Sequence, residues 1–167
     1  MSAAAVIVSI PREARLTAYV VEEHEAKVIG LWVKMKENGD LDRVFHGSIT
    51  TLTAFLWHFS HECGLVFQDD ADGIWFAAWL KPTHPKVVEL SVWVRGDRRH
   101  TRAALLAMET VCARALKLYS TVIGLSRTEL LSMHQRLGYR HVGTIVDNLE
   151  LFALTREGFK PLFYREA

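Results

Sequence analysis

Cysteine and proline are scarce in this chain, with two cysteines and four prolines among 167 residues. Cys63 and Cys112 lie far apart and neither belongs to a Cys-x-x-Cys pair, so both read as buried free thiols of a reducing compartment rather than a disulfide framework. The prolines are scattered instead of gathered into a linker. No segment is low in complexity and no internal repeat occurs, which leaves a single domain over 1–167. An excess of one charge is missing too: 20 Lys+Arg against 19 Asp+Glu give a formal net charge of +1. The global positive field of a dedicated nucleic-acid binder is therefore absent, and any phosphate chemistry has to be local. No apolar run suits a membrane span. The apolar residues 1–10 have no basic flank and meet Pro11 and Arg12 too soon for a signal peptide, so a cytoplasmic product is expected. Gly-x-Ser-x-Gly and His-Glu-x-x-His, the usual hydrolase and metalloprotease signatures, do not occur.

What is present is an ordinary globular composition, 50% hydrophobic and 23% charged. A chain of this length buries roughly two thirds of its unfolded surface in one core and needs no structural metal. Val6, Ile7, Val8 and Ile10 predict a first strand ended by Pro11. Leu16, Val20, His24, Val28, Leu31, Trp32 and Met35 recur at helical spacing until Asn38-Gly39 stops them. A second helix, capped by Ser48 or Thr50, carries Ile49, Leu52, Phe55, Leu56, Phe59 and Cys63 and is closed by Gly64. Residues 65–68 and 74–80 read as a hairpin about the Asp-rich turn ending in Asp72-Gly73. Residues 87–94 form a longer strand, with Val88, Leu90, Val92 and Val94 on one face and Glu89, Ser91 and Trp93 on the other. A polar turn leads to a third helix over 101–118, with Leu105, Met108, Cys112, Ala115 and Leu116 near one face. A strand over 120–125, a short helix over 128–137 stopped by Gly138, and strands over 139–145 and 149–154 complete the order βααβββαβαββ.

The turn before the third helix concentrates positive charge. Arg98, Arg99, His100 and Arg102 crowd a helix N-terminus, where each cation opposes the macrodipole by about 0.3–1 kcal/mol. Such a cluster makes most sense beside an anion; the alternative is a solvated basic turn. Arg95-Gly96-Asp97 within it reads as a chance tripeptide in a strand-to-helix turn, with Asp97 a turn or capping residue.

This order of elements, with the stretch Arg99-His100-Thr101-Arg102-Ala103-Ala104 and a later Leu137-Gly138-Tyr139, resembles the GNAT superfamily of N-acetyltransferases over nearly the whole chain. The resemblance implies an α/β (α+β) fold with a central mixed, largely antiparallel twisted sheet flanked by helices on both faces. It implies that backbone amides of Arg99, His100, Thr101, Arg102, Ala103 and Ala104 hold the pyrophosphate of acetyl-coenzyme A at a helix N-terminus, and that strand backbone at Val92, Trp93 and Val94 bonds the pantetheine arm. Arg99 and Ala104 fit the family pattern, whereas Arg102 stands where the family has its first glycine, adding a β-carbon and a long side chain. The family's tyrosine near the thioester sulfur is replaced by His134, an imidazole able to return a proton to a leaving thiolate. Arg127 takes the approximate place of a family asparagine. Glu89 lies on the strand from which several members take their base.

The resemblance implies a small-molecule or protein amine as acceptor, acetylated by direct attack on the thioester, with no metal. A second reading is a GNAT-like domain that has lost catalysis and serves as a structural or interaction module, since small GNAT-like proteins of short-tailed phages, virion components included, are similar in their Arg-rich helix start. In a third, Arg95, Arg98, Arg99 and Arg102 grip nucleic-acid phosphates, with steep salt dependence. His58-x-x-His61-Glu62-Cys63 offers metal-ligand types, but a helix end with surface histidines explains it. Asp69-Asp70-Ala71-Asp72-Gly73 lacks the distant glutamate of a calcium loop. Of the five tryptophans, most are expected in the core and one lining an acceptor cleft. The aromatic tail over 155–167, with Phe159, Leu162, Phe163 and Tyr164, is expected either to close the domain's own edge or to enter a partner, a second copy or a virion protein.

Overall fold

The structure is a computed structural model that describes residues 6–7, 22–60, 64–127, 131–146 and 148–165. The elements are β1 (Val6–Ile7), α1 (Glu22–Glu37), α2 (Leu41–Phe45), α3 (Leu52–Ser60), β2 (Gly64–Asp70), β3 (Gly73–His84), β4 (Val87–Val94), a 3-10 turn (Gly96–Arg98), α4 (Arg102–Leu118), β5 (Thr121–Arg127), α5 (Leu131–Arg136), β6 (Arg140–Val146) and β7 (Leu149–Thr155). Hydrogen bonding orders the strands β1-β2-β3-β4-β5-β7-β6. The ladders are antiparallel at β1–β2, β2–β3, β5–β7 and β6–β7, and parallel at β4–β5. This is the mixed, largely antiparallel sheet expected, flanked by helices. The chain gathers into two compact units, Met1–Lys81 with Val92–Arg99, and Pro82–Ser91 with His100–Ala167.

In the first unit, α1, α2 and α3 bury one face of the strands. Leu31 and Met35 of α1 and Phe55 of α3 are fully excluded from water, and Phe45 stacks on Trp79 with ring centroids 5.7 Å apart. Four tryptophans, Trp32, Trp75, Trp79 and Trp93, are buried as expected, while Trp57 of α3 is 67% exposed. α1 ends where Asn38-Gly39 foretells. Gly39 has φ +66°, Gly39 N–H donates to the Lys36 carbonyl and Asp40 N–H to that of Met35, so the last carbonyls are satisfied by a left-handed glycine cap.

Two features of this unit differ from the sequence expectation. The five-residue α2 is an added helix without a periodic signal of its own, held between the α1 cap and His46 at φ +52°. The expected cap of the next helix is also displaced: Ser48 Oγ donates to the Phe45 carbonyl, and Thr51 Oγ1 accepts from Ala54 N–H. Leu16, Val20, Val8, Ile10 and the group His61, Glu62 and Cys63 lie outside the described residues, as do residues 128–130 of the predicted short helix. β3 runs on to His84, beyond the predicted end at residue 80, as an exposed strand end.

In the second unit, Val88, Val122, Phe152 and Leu154 are all 0% exposed and form one face of β4, β5 and β7. Helix α4 supplies Cys112, Ala115 and Leu116 to this core. Cys112 Sγ lies 3.4 Å from Tyr139 Oη, and burial pushes its thiol up to about 12. Gly138, the predicted helix stop, has φ +91°, and a β-carbon there would run into the carbonyl oxygen of Gly158. Lys160 N–H donates to the Leu137 carbonyl at 3.0 Å beside it. The tail therefore passes directly against the Leu-Gly-Tyr turn, which only glycine permits.

The tail docks within its own unit. Glu109, fully buried on α4, accepts the backbone N–H groups of Leu162, Phe163 and Tyr164 at 2.7, 2.8 and 2.7 Å. The tail thus closes on a carboxylate of its own chain.

Candidate functional site

The segment from the end of β4 to the start of α4 is organised by ion pairs on one side and by helix capping on the other. In the first unit, Arg95 is buried and forks onto Asp70 at 3.2 and 2.8 Å and onto Asp97 at 2.7 and 3.0 Å. Arg98 adds a 2.7 Å bond to Asp70. These bonds, that from Arg95 foremost, hold the Asp70 carboxyl down at about 2. Asp97 is likewise lowered, mainly by its bond from Arg95, and the two carboxylates hold the Arg95 guanidinium firmly charged. Arg99 donates to the Val94 carbonyl at 3.1 Å and through one nitrogen to both oxygens of Asp40 at 2.7 and 3.0 Å. Asp40 is 4% exposed and also accepts from the Trp93 indole at 2.8 Å and pairs with Arg43 at 3.1 Å.

Two arginines of the cluster that suggested an external anion, Arg98 and Arg99, therefore find carboxylates inside the chain, as does Arg95 before them. Sequence reading missed Asp40 and Asp70 as their partners. Asp40 follows a helix stop and Asp70 sits in a hairpin turn, where its Oδ1 also accepts Asp72 N–H at 2.9 Å. Both therefore look like ordinary turn acids.

In the second unit, His100 adopts φ +65°, a left-handed conformation that costs a non-glycine residue of order 1 kcal/mol or more. Thr101 is extended, and its Oγ1 accepts Ala104 N–H at 3.2 Å while its carbonyl accepts Leu105 N–H. The N–H groups of Arg102 and Ala103, between these two, have no hydrogen-bond partner among the described residues. Two amides at the positive end of a seventeen-residue helix are thus open to an acceptor. The Arg102 side chain is turned onto Phe163, its guanidinium carbon 5.0 Å from the ring centroid. It is the arginine of this stretch that rests on a ring instead of a carboxylate.

Glu89 and His134 both belong to the second unit, and the structure places them on opposite faces of its strands. The registers Glu89↔Ile123 and Ile123↔Ala153 put Glu89, half-buried, on the face of Ile123 and Ala153. His134 of α5 stacks on Phe152 of the other face at 4.7 Å and meets Tyr139 edge-on at 5.3 Å. His134 is a packed, half-buried imidazole, and the buried hydroxyl nearby is that of Tyr139, raised well above its ordinary value by burial. β4 and β5 share the parallel pairs Val87↔Thr121, Val88↔Val122 and Glu89↔Ile123. Val92, Trp93 and Val94 lie farther along β4, with Trp93 buried and Val92 and Val94 half-buried.

Among the described residues no group of three or more His, Cys, Asp or Glu side chains could hold a metal ion, and no helix is long and apolar enough to cross a membrane. No family model and no curated protein sequence matches the chain. Solved structures do match its fold. A GNAT-superfamily phosphinothricin acetyltransferase from Sinorhizobium meliloti, in complex with acetyl-coenzyme A, aligns with a TM-score of 0.63 at 14% identity, covering 83% of this chain and 90% of its own. Spermidine N-acetyltransferase from Vibrio cholerae, in complex with coenzyme A and spermine, aligns with a TM-score of 0.61 at 8% identity, covering 77% and 90%. A GNAT-family acetyltransferase from Elizabethkingia anophelis with acetyl-coenzyme A bound gives 0.53 at 13%, covering 63% and 83%. The chain has the GNAT acetyltransferase fold.

Proposed function

We propose that this protein is an acetyl-coenzyme A-dependent N-acetyltransferase that binds its acetyl donor at the start of α4. The observation that carries the reading is the pair of open N–H groups at Arg102 and Ala103 on a helix N-terminus, at the place where the GNAT resemblance puts the pyrophosphate. His100, Thr101 and Ala104 complete that turn, Thr101 by capping, and Arg99 precedes it in the chain. In the proposed reaction the amine nitrogen attacks the thioester carbonyl carbon, so a C–N bond forms and the C–S bond breaks. Glu89, directly or through water, takes the proton from the amine, and His134 or solvent returns one to the thiolate. Backbone of Val92, Trp93 and Val94 is assigned to the pantetheine arm.

A second reading, a GNAT-fold interaction module without catalysis, draws support from the carboxylates that occupy Arg95, Arg98 and Arg99 and from Arg102 in a glycine position. Calorimetry with acetyl-coenzyme A separates the two. Arg102 is the first helical residue and follows an extended Thr101, so Arg102→Pro deletes the open N–H at a position that proline tolerates. Arg102→Ala removes the side chain alone. The acetyltransferase reading expects micromolar binding by the unaltered protein, weakened roughly tenfold or more by Arg102→Pro beyond the effect of Arg102→Ala. Absence of binding at millimolar acetyl-coenzyme A favours the interaction module and removes the enzyme.

A further inference from the structure

The face of the second unit that carries Glu89 differs from the face behind it. Val88, Val122, Phe152 and Leu154 are sealed at 0% exposure. The registers Glu89↔Ile123, Ile123↔Ala153, Leu125↔Leu151 and Arg127↔Leu149 place Ile123, Leu125, Leu149, Leu151 and Ala153 beside Glu89 on the other face. All five are at most half-buried and Leu125 is 41% exposed. An aliphatic stripe thus runs away from a single carboxylate.

The charges around the stripe are unequal. Among the described residues of these strands, Glu89 is the one carboxylate on this face, because Glu150 alternates onto the face of Phe152 and there bonds His141 at 2.7 Å and Thr144 at 2.8 Å. The same alternation brings two cationic residues to the stripe's side, Arg127 opposite Leu149 and Arg140 opposite Ala153. A ligand with several positive charges finds on this face one carboxylate for only one of its ammonium groups. A ligand with one ammonium on an apolar body meets a carboxylate at one end and aliphatic side chains along the rest.

We infer that the acceptor of this enzyme is a primary monoamine on an apolar or aromatic body, with its ammonium at Glu89 and its body along Leu125 and Leu151. The inference rests on the acetyltransferase reading for its chemistry, while the binding it requires is measurable without turnover. Leu125 and Leu151 are specificity residues in this arrangement.

The test uses 2-phenylethylamine, spermidine and phenylalanine as acceptors with acetyl-coenzyme A, beside ligand-observed NMR of each amine with the protein alone. The expected kcat/KM for 2-phenylethylamine exceeds those for spermidine and phenylalanine by about tenfold or more. Leu125→Asn and Leu151→Asp are expected to raise the KM for 2-phenylethylamine about tenfold, with kcat nearly unchanged and acetyl-coenzyme A affinity within roughly twofold. Leu125→Asn, at an exposed position, keeps the test readable should Leu151→Asp fold poorly. Spermidine or phenylalanine used as well as 2-phenylethylamine overturns the inference, and so does 2-phenylethylamine that is neither acetylated nor bound at about 10 mM. Failure of acetyl-coenzyme A to bind sinks the enzyme reading instead, and the NMR arm still reports on the amine.

Discussion

Replacing Glu109 by glutamine is expected to cost this protein more stability than any other isosteric change on α4. The carboxylate is fully buried and its charge is met by three backbone N–H groups, Leu162 on Oε1 and both Phe163 and Tyr164 on Oε2. A hydrogen bond to a charged group contributes about 1.5–3 kcal/mol, and a buried donor left unmet costs about 1–3 kcal/mol. Glutamine keeps the shape but turns an NH2 group toward at least one of the three donors. Its best orientation retains Phe163 and Tyr164 as neutral bonds and sets donor against donor at Leu162. The sum is a loss of about 3 kcal/mol, or a melting temperature roughly 6–12 °C lower for a chain of this size. Removing the tail after residue 161 is expected to cost more in the unaltered chain, because it strands a buried charge. The same truncation in Glu109→Leu should cost little. Urea unfolding of the four proteins forms a double-mutant cycle, with hydrogen exchange at residues 162–164 as a local readout. A Glu109→Gln protein within about 0.5 kcal/mol of the original, or truncation costs that are equal in the two backgrounds, would show that Glu109 does not anchor the tail.

The folded Asp70 carboxyl sits at about 2, below the ordinary value of 3.8, because Arg95 and Arg98 bond its charged form. Its contribution is therefore complete above about pH 5 and lost as pH falls toward 2. It amounts to about 2 kcal/mol, with roughly half remaining at pH 3. Urea midpoints of the original and Asp70→Asn proteins should differ at pH 6 and converge by about pH 2; a gap independent of pH contradicts the ion-pair account. Gly138→Ala combines a left-handed φ of +91° with a β-carbon against the Gly158 carbonyl, so a loss of about 3 kcal/mol or more is expected in thermal unfolding. Gly143→Ala, with nothing within 4 Å of the added carbon, serves as the control expected to change little.

Features that depend on neighbours a few residues away are legible in the sequence. Period-two and period-3.6 patterns placed β4 at its observed bounds and the helix α4 within one residue. The stops and caps were local chemistry as well: Asn38-Gly39 closing α1, the Asp-Gly hairpin whose Gly73 takes φ +94°, Thr101 at the head of α4, and Gly138. The short α2 escaped because five residues carry too little period to be seen. Alternation also fixed the two faces of β4, Glu89 with Trp93 and Val88 with Leu90, since it depends only on the strand's own geometry.

What each polar side chain meets is set by contacts across the fold. Arg99 finds Asp40 across 59 residues and Arg95 finds Asp70 across 25, so a turn that looked like a vacant anion site by composition is largely neutralised from within. Glu109 finds the tail across 53 residues, which turned an unassigned aromatic end into an anchored one. Which face of β4 is closed is likewise a property of packing: Val88 and Leu90 are buried at one end of the strand and Trp93 at the other. Local pattern encodes where a residue points, because backbone dihedrals repeat. Burial and charge pairing depend on distances between segments far apart in sequence, which the pattern of any one segment does not contain.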